Sequence, residues 1–234
     1  MNQTIQYAVD QDGIALLTID LPGASMNVLT PRLMSDLAEL TARAAADDDV
    51  KGLVLTSGKK AFIAGADIKD MVTAYDRGMT KKEAAEFSAQ LNKTLRDMET
   101  CGKPFAVAIT GLALGGGLEV CLACHYRVLA SDSGAVLGFP EVNIGLLPGA
   151  GGTQRTPRLI GFRNAATMIL QCRNQRPEQA LALGLVHELA PVAEIVEKAR
   201  QWVLEKGDPE QPWDKKGFKF PHGGLDHPAT AQTF

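Results

Sequence analysis

Glu119 stands in the run Gly111-Leu112-Ala113-Leu114-Gly115-Gly116-Gly117-Leu118-Glu119-Val120-Cys121-Leu122-Ala123-Cys124, a segment that reads as a helix apolar nearly all round. A carboxylate there is sheltered from water, and desolvation raises its pKa toward the range useful for moving protons. The structural alternative is a glutamate that caps neighbouring backbone groups. Three glycines in a row are entropically costly to order. They become useful where side chains would block a ligand from a helix N-terminus, whose free N–H groups and dipole favour negative charge. A second carboxylate, Glu141, lies in Gly138–Arg155, a segment that reads GFPEVNIGLLPGAGGTQR. Pro140 biases the backbone before it toward an extended shape, so Glu141 is expected on a fixed loop. The stretch Pro148-Gly149-Ala150-Gly151-Gly152 then forms a compact loop leading into a helix. In Phe62-Ile63-Ala64-Gly65-Ala66-Asp67-Ile68, small residues follow a buried strand, so a ligand can approach the backbone amides closely. Taken singly, the first of these loops and the last also read as ordinary turns.

Other chemistries lack their motifs. The glycines match neither the dinucleotide fingerprint nor a Walker loop. No G-x-S-x-G elbow supports a Ser-His-Asp site. Cys121-x-x-Cys124 has no second pair and reads as helix packing, not as a metal or redox site, so no metal is expected. His125 at the helix end reads as a structural hydrogen-bonder. His187 follows an apolar turn, and His222 and His227 lie in a tail without metal-motif context. Lys81-Lys82 reads as a solvated helix face.

The elements that must position these segments alternate. Ile14–Ile19, Leu53–Thr56, Phe105–Ile109 and Arg127–Ala130 read as buried strands. Thr30-Pro31 starts a helix with Leu33, Leu37 and Leu40 on one stripe. Thr80 and Glu83 form a capping box ahead of Phe87, Leu91, Leu95 and Met98. Pro177 opens a helix closed by Gly184, and Pro191 opens the last, with Ile195, Val196, Ala199 and Val203 facing inward. Strand–helix alternation gives an α/β class.

The composition bounds the rest. The chain has 234 residues, 45% of them hydrophobic, enough to bury a core and exclude a disordered or disulfide-stapled class. With 24 Lys+Arg against 27 Asp+Glu, charge gives no reason to expect nucleic acid or an anionic membrane. No apolar run nears the roughly 20 residues of a membrane helix, and the first residues lack signal-peptide character. Four cysteines in apolar segments suggest reduced thiols and a cytoplasmic setting. From Gly207 onward the text changes. Eight of the last 28 residues are Gly or Pro, which divides the chain into a domain over 1–206 and a linker or extended tail over 207–234.

In this order, the three segments resemble the enoyl-CoA hydratase/isomerase (crotonase) superfamily over roughly residues 5 to 205. Phe62–Ile68 is similar to its first oxyanion-hole segment, Gly111–Glu119 to its second, and Pro140–Arg155 to its second catalytic carboxylate and following loop. Ala123-Cys124-His125, Leu137–Glu141, Thr153–Gly161 and Trp213–Lys219 further resemble the N-terminal hydratase part of multifunctional fatty-acid oxidation α subunits. The resemblance implies a spiral of repeated ββα units. It implies an oxyanion hole of Ala66 and Gly116 N–H groups, with Glu119 and Glu141 as the acid/base pair. Ala64, Gly65, Asp67, Ile68, Gly115, Pro148 and Gly149 would contact substrate, Gly149 helping to confine the water and the adenine end of CoA lying along 64–68. The substrate would be an acyl-CoA thioester, with no cofactor in this chain; NAD would belong to a downstream dehydrogenase domain that is missing here. Implied partners are a trimer-like homo-oligomer and, in the larger protein, that 3-hydroxyacyl-CoA dehydrogenase domain and a thiolase subunit. The expected activity is hydration of 2-trans-enoyl-CoA in β-oxidation. Alternatives are Δ3-Δ2-enoyl-CoA isomerisation, which needs one base, and a non-catalytic acyl-CoA-binding scaffold. Met71, Val72, Phe87 and Leu91 read equally as acyl-pocket lining or core packing. An apolar surface left bare by an absent downstream helix is also expected.

Overall fold

A computed structural model describes residues 3–224 and Pro228. The part of the tail at 225–227 and 229–234, with His227, lies outside the described residues. Strands and helices follow in the order β1 (Ile5–Val9), β2 (Ile14–Ile19), α1 (Pro31–Ala46), β3 (Gly52–Ser57), α2 (Ile68–Asp76), α3 (Lys81–Thr100), β4 (Phe105–Ile109), β5 (Ala113–Leu114), α4 (Gly116–Ala123), β6 (Tyr126–Ala130), β7 (Leu137–Gly138), α5 (Gly152–Leu170), α6 (Pro177–Leu183), β8 (Glu188–Ala190) and α7 (Ile195–Glu205). A 3-10 turn, Glu141–Ile144, interrupts the run between β7 and α5.

Buried β-branched and apolar runs pair into a six-stranded sheet, ordered β1-β2-β3-β4-β6-β8. Only β1 is antiparallel to its neighbour. A second layer of very short pairings lies beyond the strand ends: β5 with β7, Leu29 with Ala66, and Ile63 with Ala113. Each turn of chain thus adds a strand to the large sheet, a brief pairing to the small one, then a helix. This is the spiral of ββα units.

Local chemistry sets the helix ends. Thr30 Oγ1 accepts from Leu33 N–H, with Pro31 at the first helical position, so α1 starts where its orphan donors are satisfied. Thr80 and Glu83 form the capping box of α3. Gly184, in left-handed conformation, closes α6. One face of the sheet packs the main core with Leu33, Leu37, Leu95, Met98 and Leu118. The other carries α7 through Ile195, Ala199 and Val203 over Ile14, Val54, Ala106 and Val128. Each fully buried large side chain of this kind is worth about 1.5–3 kcal/mol.

The structure corrects and extends these expectations. The last helix begins at Ile195, because Pro191–Glu194 close as a turn in which Glu194 N–H donates to Pro191 C=O. Glu141 lies on the connection between β7 and α5, as the first residue of its 3-10 turn. Helix α2 was not anticipated, and none of its residues is buried. Met71 (37% exposed), Val72 (53%) and Phe87 (47%) are therefore not core, whereas Leu91 packs partly buried against it. The segment 207–224 contains neither helix nor strand, yet it is bound to the domain. Gln211 is fully buried and donates to Ala123 C=O (3.0 Å), and Phe220 packs on Phe162 of α5 with centroids 4.7 Å apart.

Candidate active site

The N-terminus of α4 is the meeting point. Gly115 caps it at φ 52°, ψ −125°, a conformation L side chains rarely adopt, and its own N–H is taken by Gly138 C=O (2.9 Å). Gly116 is the first helical residue, and its N–H has no acceptor among the described residues. All eight residues of α4 are buried, so this free donor stands at the end of a helix dipole out of bulk water.

Segment 62–66 is strapped against this end. Phe62 and Ile63 N–H groups donate to Leu112 C=O, and Leu114 N–H donates to Ile63 C=O. On its other side Leu29 N–H donates to Gly65 C=O (2.7 Å) and Asp67 N–H to Leu29 C=O (3.4 Å). In a parallel bridge of that kind, the residue between the two bonded groups turns its own N–H the other way. That residue is Ala66, and its N–H has no acceptor among the described residues. Asp67 is spent locally, its carboxylate accepting from Lys69 N–H to cap α2, and Ile68 is 60% exposed. Ala64 N–H donates to Asn27 C=O. Asn27, fully buried, was not singled out in the sequence. Its amide donates to Ile19 C=O, Ser57 Oγ and Phe62 C=O and accepts from Leu21 N–H, locking the strap in place.

Glu119, 2% exposed, accepts from Ala150 N–H (2.7 Å) and Gly152 N–H (2.6 Å), both on Oε1. Oε2 is left for a proton or a water. Burial pushes its pKa up to about 7; the two amides and the Arg155 charge oppose that rise, and the neighbouring Glu141 adds to it. Glu141 is half-buried, and burial raises its pKa as well. Its Oε1 lies 2.5 Å from where a side chain on Gly115 would begin. Its Oε2 is buried without a hydrogen-bond partner among the described residues, a costly arrangement in a structural role. Pro148 is buried beside Gly152, and Gly149 is exposed, its carbonyl held by Ser88 Oγ (2.6 Å) and Asn92 Nδ2 (2.8 Å). Two free amides and two raised carboxyls are thus gathered at one helix end.

The sequence profile described as Enoyl-CoA hydratase/isomerase matches residues 10–208. The chain belongs to the enoyl-CoA hydratase/isomerase family. It is 42% identical over 205 residues to the fatty acid oxidation complex subunit alpha of Shewanella baltica strain OS185, a match that takes in 87% of this chain and 28% of that protein. The chain thus spans little more than a quarter of such curated relatives. Among solved structures, the enoyl-CoA hydratase of Bacillus anthracis superposes with TM-score 0.78 at 30% identity, over 87% of this chain and 76% of that one. Pseudomonas aeruginosa DspI does so with TM-score 0.78 at 31% identity, over 87% and 74%. Among the described residues no helix is long and apolar enough to cross a membrane.

In this hydratase/isomerase-family chain, further residues that support the loop were not anticipated: Glu99, Ser88, Asn92, and Arg155 as an ion-pair partner. One signal was available. Glu99 sits four residues after Leu95, on the apolar stripe of α3, where a carboxylate needs a buried partner. His125 behaves as expected, Nδ1 accepting from Phe105 N–H and Nε2 donating to Glu99 C=O.

The Glu119 pKa carries a stability consequence. Because the folded pKa stands above the ordinary 4.5, the folded state holds the proton more tightly, and stability falls as pH rises from that value through about 7. Glutamine keeps the acceptor oxygen and abolishes the charge. Glu119→Gln should therefore be more stable than the wild type at pH 8 by about 3 kcal/mol, and the gap should shrink toward pH 5. Denaturant unfolding across that range measures it; a gap independent of pH would refute the buried, proton-holding carboxyl.

Proposed function

We propose that the protein is an enoyl-CoA hydratase, adding water across a 2-trans-enoyl-CoA to give the 3-hydroxyacyl-CoA in fatty acid oxidation. The observation that carries this reading is the pair of sheltered carboxyls at the N-terminus of α4, since hydration needs two proton transfers around one water. The Ala66 and Gly116 N–H groups bind the thioester oxygen, where negative charge grows as C3 is attacked. One carboxylate takes a proton from the attacking water, whose oxygen bonds to C3. The other carboxyl delivers a proton to C2, and the enolate collapses to the thioester. Mutual repulsion and burial split the pair into one ionised and one protonated group. Substrate contacts at Ala64, Gly65, Asp67, Ile68, Gly115, Pro148 and Gly149 belong to the same reading. So do a cytoplasmic setting, a homo-oligomer, and the larger protein's dehydrogenase domain and thiolase subunit.

Isomerisation of a 3-enoyl thioester is the second reading, favoured by the unpartnered Oε2 of Glu141, which alone can shuttle a proton between C2 and C4. A crotonyl-CoA assay decides the first: loss of the conjugated enoyl thioester's ultraviolet absorbance on adding enzyme is expected. A folded protein that binds crotonyl-CoA without hydrating it would leave the isomerase and scaffold readings. A 3-enoyl-CoA assay of Glu119→Gln tests the second, since retained isomerisation with lost hydration would assign the shuttle to Glu141.

A further inference from the structure

The loop that holds Glu119 is itself held by a line of charges running to the segment beyond the family match. Ala150 N–H donates to Glu119, and Ala150 C=O accepts from Arg155 Nη1 (2.9 Å). Arg155 Nε meets Glu99 Oε1 at 2.6 Å, and both side chains are buried, 8% and 2% exposed. Arg96 Nη1 meets Glu99 Oε2 at 2.9 Å. Arg96 in turn grips Asp214 with two bonds of 2.8 Å, a planar two-point pairing that fixes orientation as well as distance. A cleft of about 300 Å³ between α3 and α5 is lined by these residues and Trp213. The same segment also holds the far end of α4, where Gln211 donates to the Ala123 carbonyl; Gly116 and Glu119 lie in the first turn of that helix. The family match ends at residue 208, so Gln211 and Asp214 both lie past it.

We propose that Asp214, Arg96, Glu99 and Arg155 form a positioning relay through which the segment after the family domain sets the geometry and protonation of Glu119. The inference rests on the acid/base role proposed for Glu119. Every link has its opposite charge, so breaking the outer, partly exposed one relaxes the inner ones without stranding a buried ion. Freed from Asp214, Arg96 is no longer held in one orientation beside Glu99, so Glu99 and Arg155 lose their fixed places and the Ala150 peptide can rotate. Arg155 and Glu141 are the charges whose fields reach Glu119, so a displaced cation also shifts its titration upward.

The test uses the whole chain. Asp214→Asn is expected to lower kcat for crotonyl-CoA hydration about threefold to tenfold with KM within about twofold, the scale of coupling through such networks. Asp214→Glu should restore most of it. Independently of turnover, the pH midpoint at which Glu119→Gln gains stability over its parent should move upward in the Asp214→Asn background and further with Arg155→Met. Unchanged kcat together with an unchanged midpoint in folded Asp214→Asn would overturn the relay. If Arg155→Met does not fold, the Asp214 pair still decides. If Glu119→Gln proves fully active, the hydratase role fails, while the relay is still judged by the midpoint.

Discussion

Replacing Glu119 or Glu141 by glutamine is expected to cut crotonyl-CoA hydration by well over ~100-fold in either variant, the scale of lost acid/base catalysis. Both changes keep the shape and an acceptor oxygen, so the loss isolates proton transfer from packing. Glu119→Gln should preserve the bonds from Ala150 and Gly152, both of which end on one oxygen. Its fold should be intact and, above neutral pH, more stable. Thioester binding should survive too, because the amides of Ala66 and Gly116 belong to the backbone. A large fall in kcat with nearly unchanged affinity is therefore the signature, read by steady-state assay together with equilibrium binding of a non-reactive acyl-CoA. Near-wild-type turnover in either folded variant would remove that residue from the chemistry.

The second large effect is expected at Gly117. A side-chain carbon there would begin 2.7 Å from Ile63 Cβ and closer still to the Ile63 carbonyl oxygen. Ile63 is 1% exposed and its carbonyl is already engaged by Leu114 N–H, so neither can give way cheaply. Gly117→Ala should then push α4 off the 62–66 strap. Overpacking of this kind costs about 1–3 kcal/mol. It would also spread the two free amides apart, which weakens stabilisation of the thioester oxygen beyond what the stability loss explains. Gly149→Ala is the control, since its added methyl meets only Ser88 Oγ at 3.8 Å. Chemical denaturation should separate the two, with Gly117→Ala markedly less stable and Gly149→Ala close to wild type. Equal stabilities would show that the helix and strap are not in forced contact.

The sequence made Glu119 legible because a carboxylate in an apolar helix is an energetic anomaly visible without coordinates. The triple glycine was legible for a similar reason, as an entropic cost that needs a compensating use. Helix starts at Thr30-Pro31 and Thr80–Glu83 were readable because caps are local chemistry. Strands β5 and β7 were not, since two residues carry no periodicity. The Glu99–Arg155 pair joins positions 56 apart, and Asn27 binds Phe62 across 35. Pairings of that span depend on how the spiral stacks, and nothing local announces them. Helix α2 was missed because its apolar residues face outward, where stripe-and-core reasoning has no purchase.

The large sheet is laid down almost in reading order, each new parallel strand joining the one formed before it. Such a molecule grows by accretion, with every addition finding its template already in place. The late contacts break that habit: Gln211 returns to a residue 88 positions earlier, and Asp214 to one 118 positions earlier. A nascent chain can thus complete its layers before these contacts secure α3 and the far end of α4, and the final clasp arrives after the scaffold it holds.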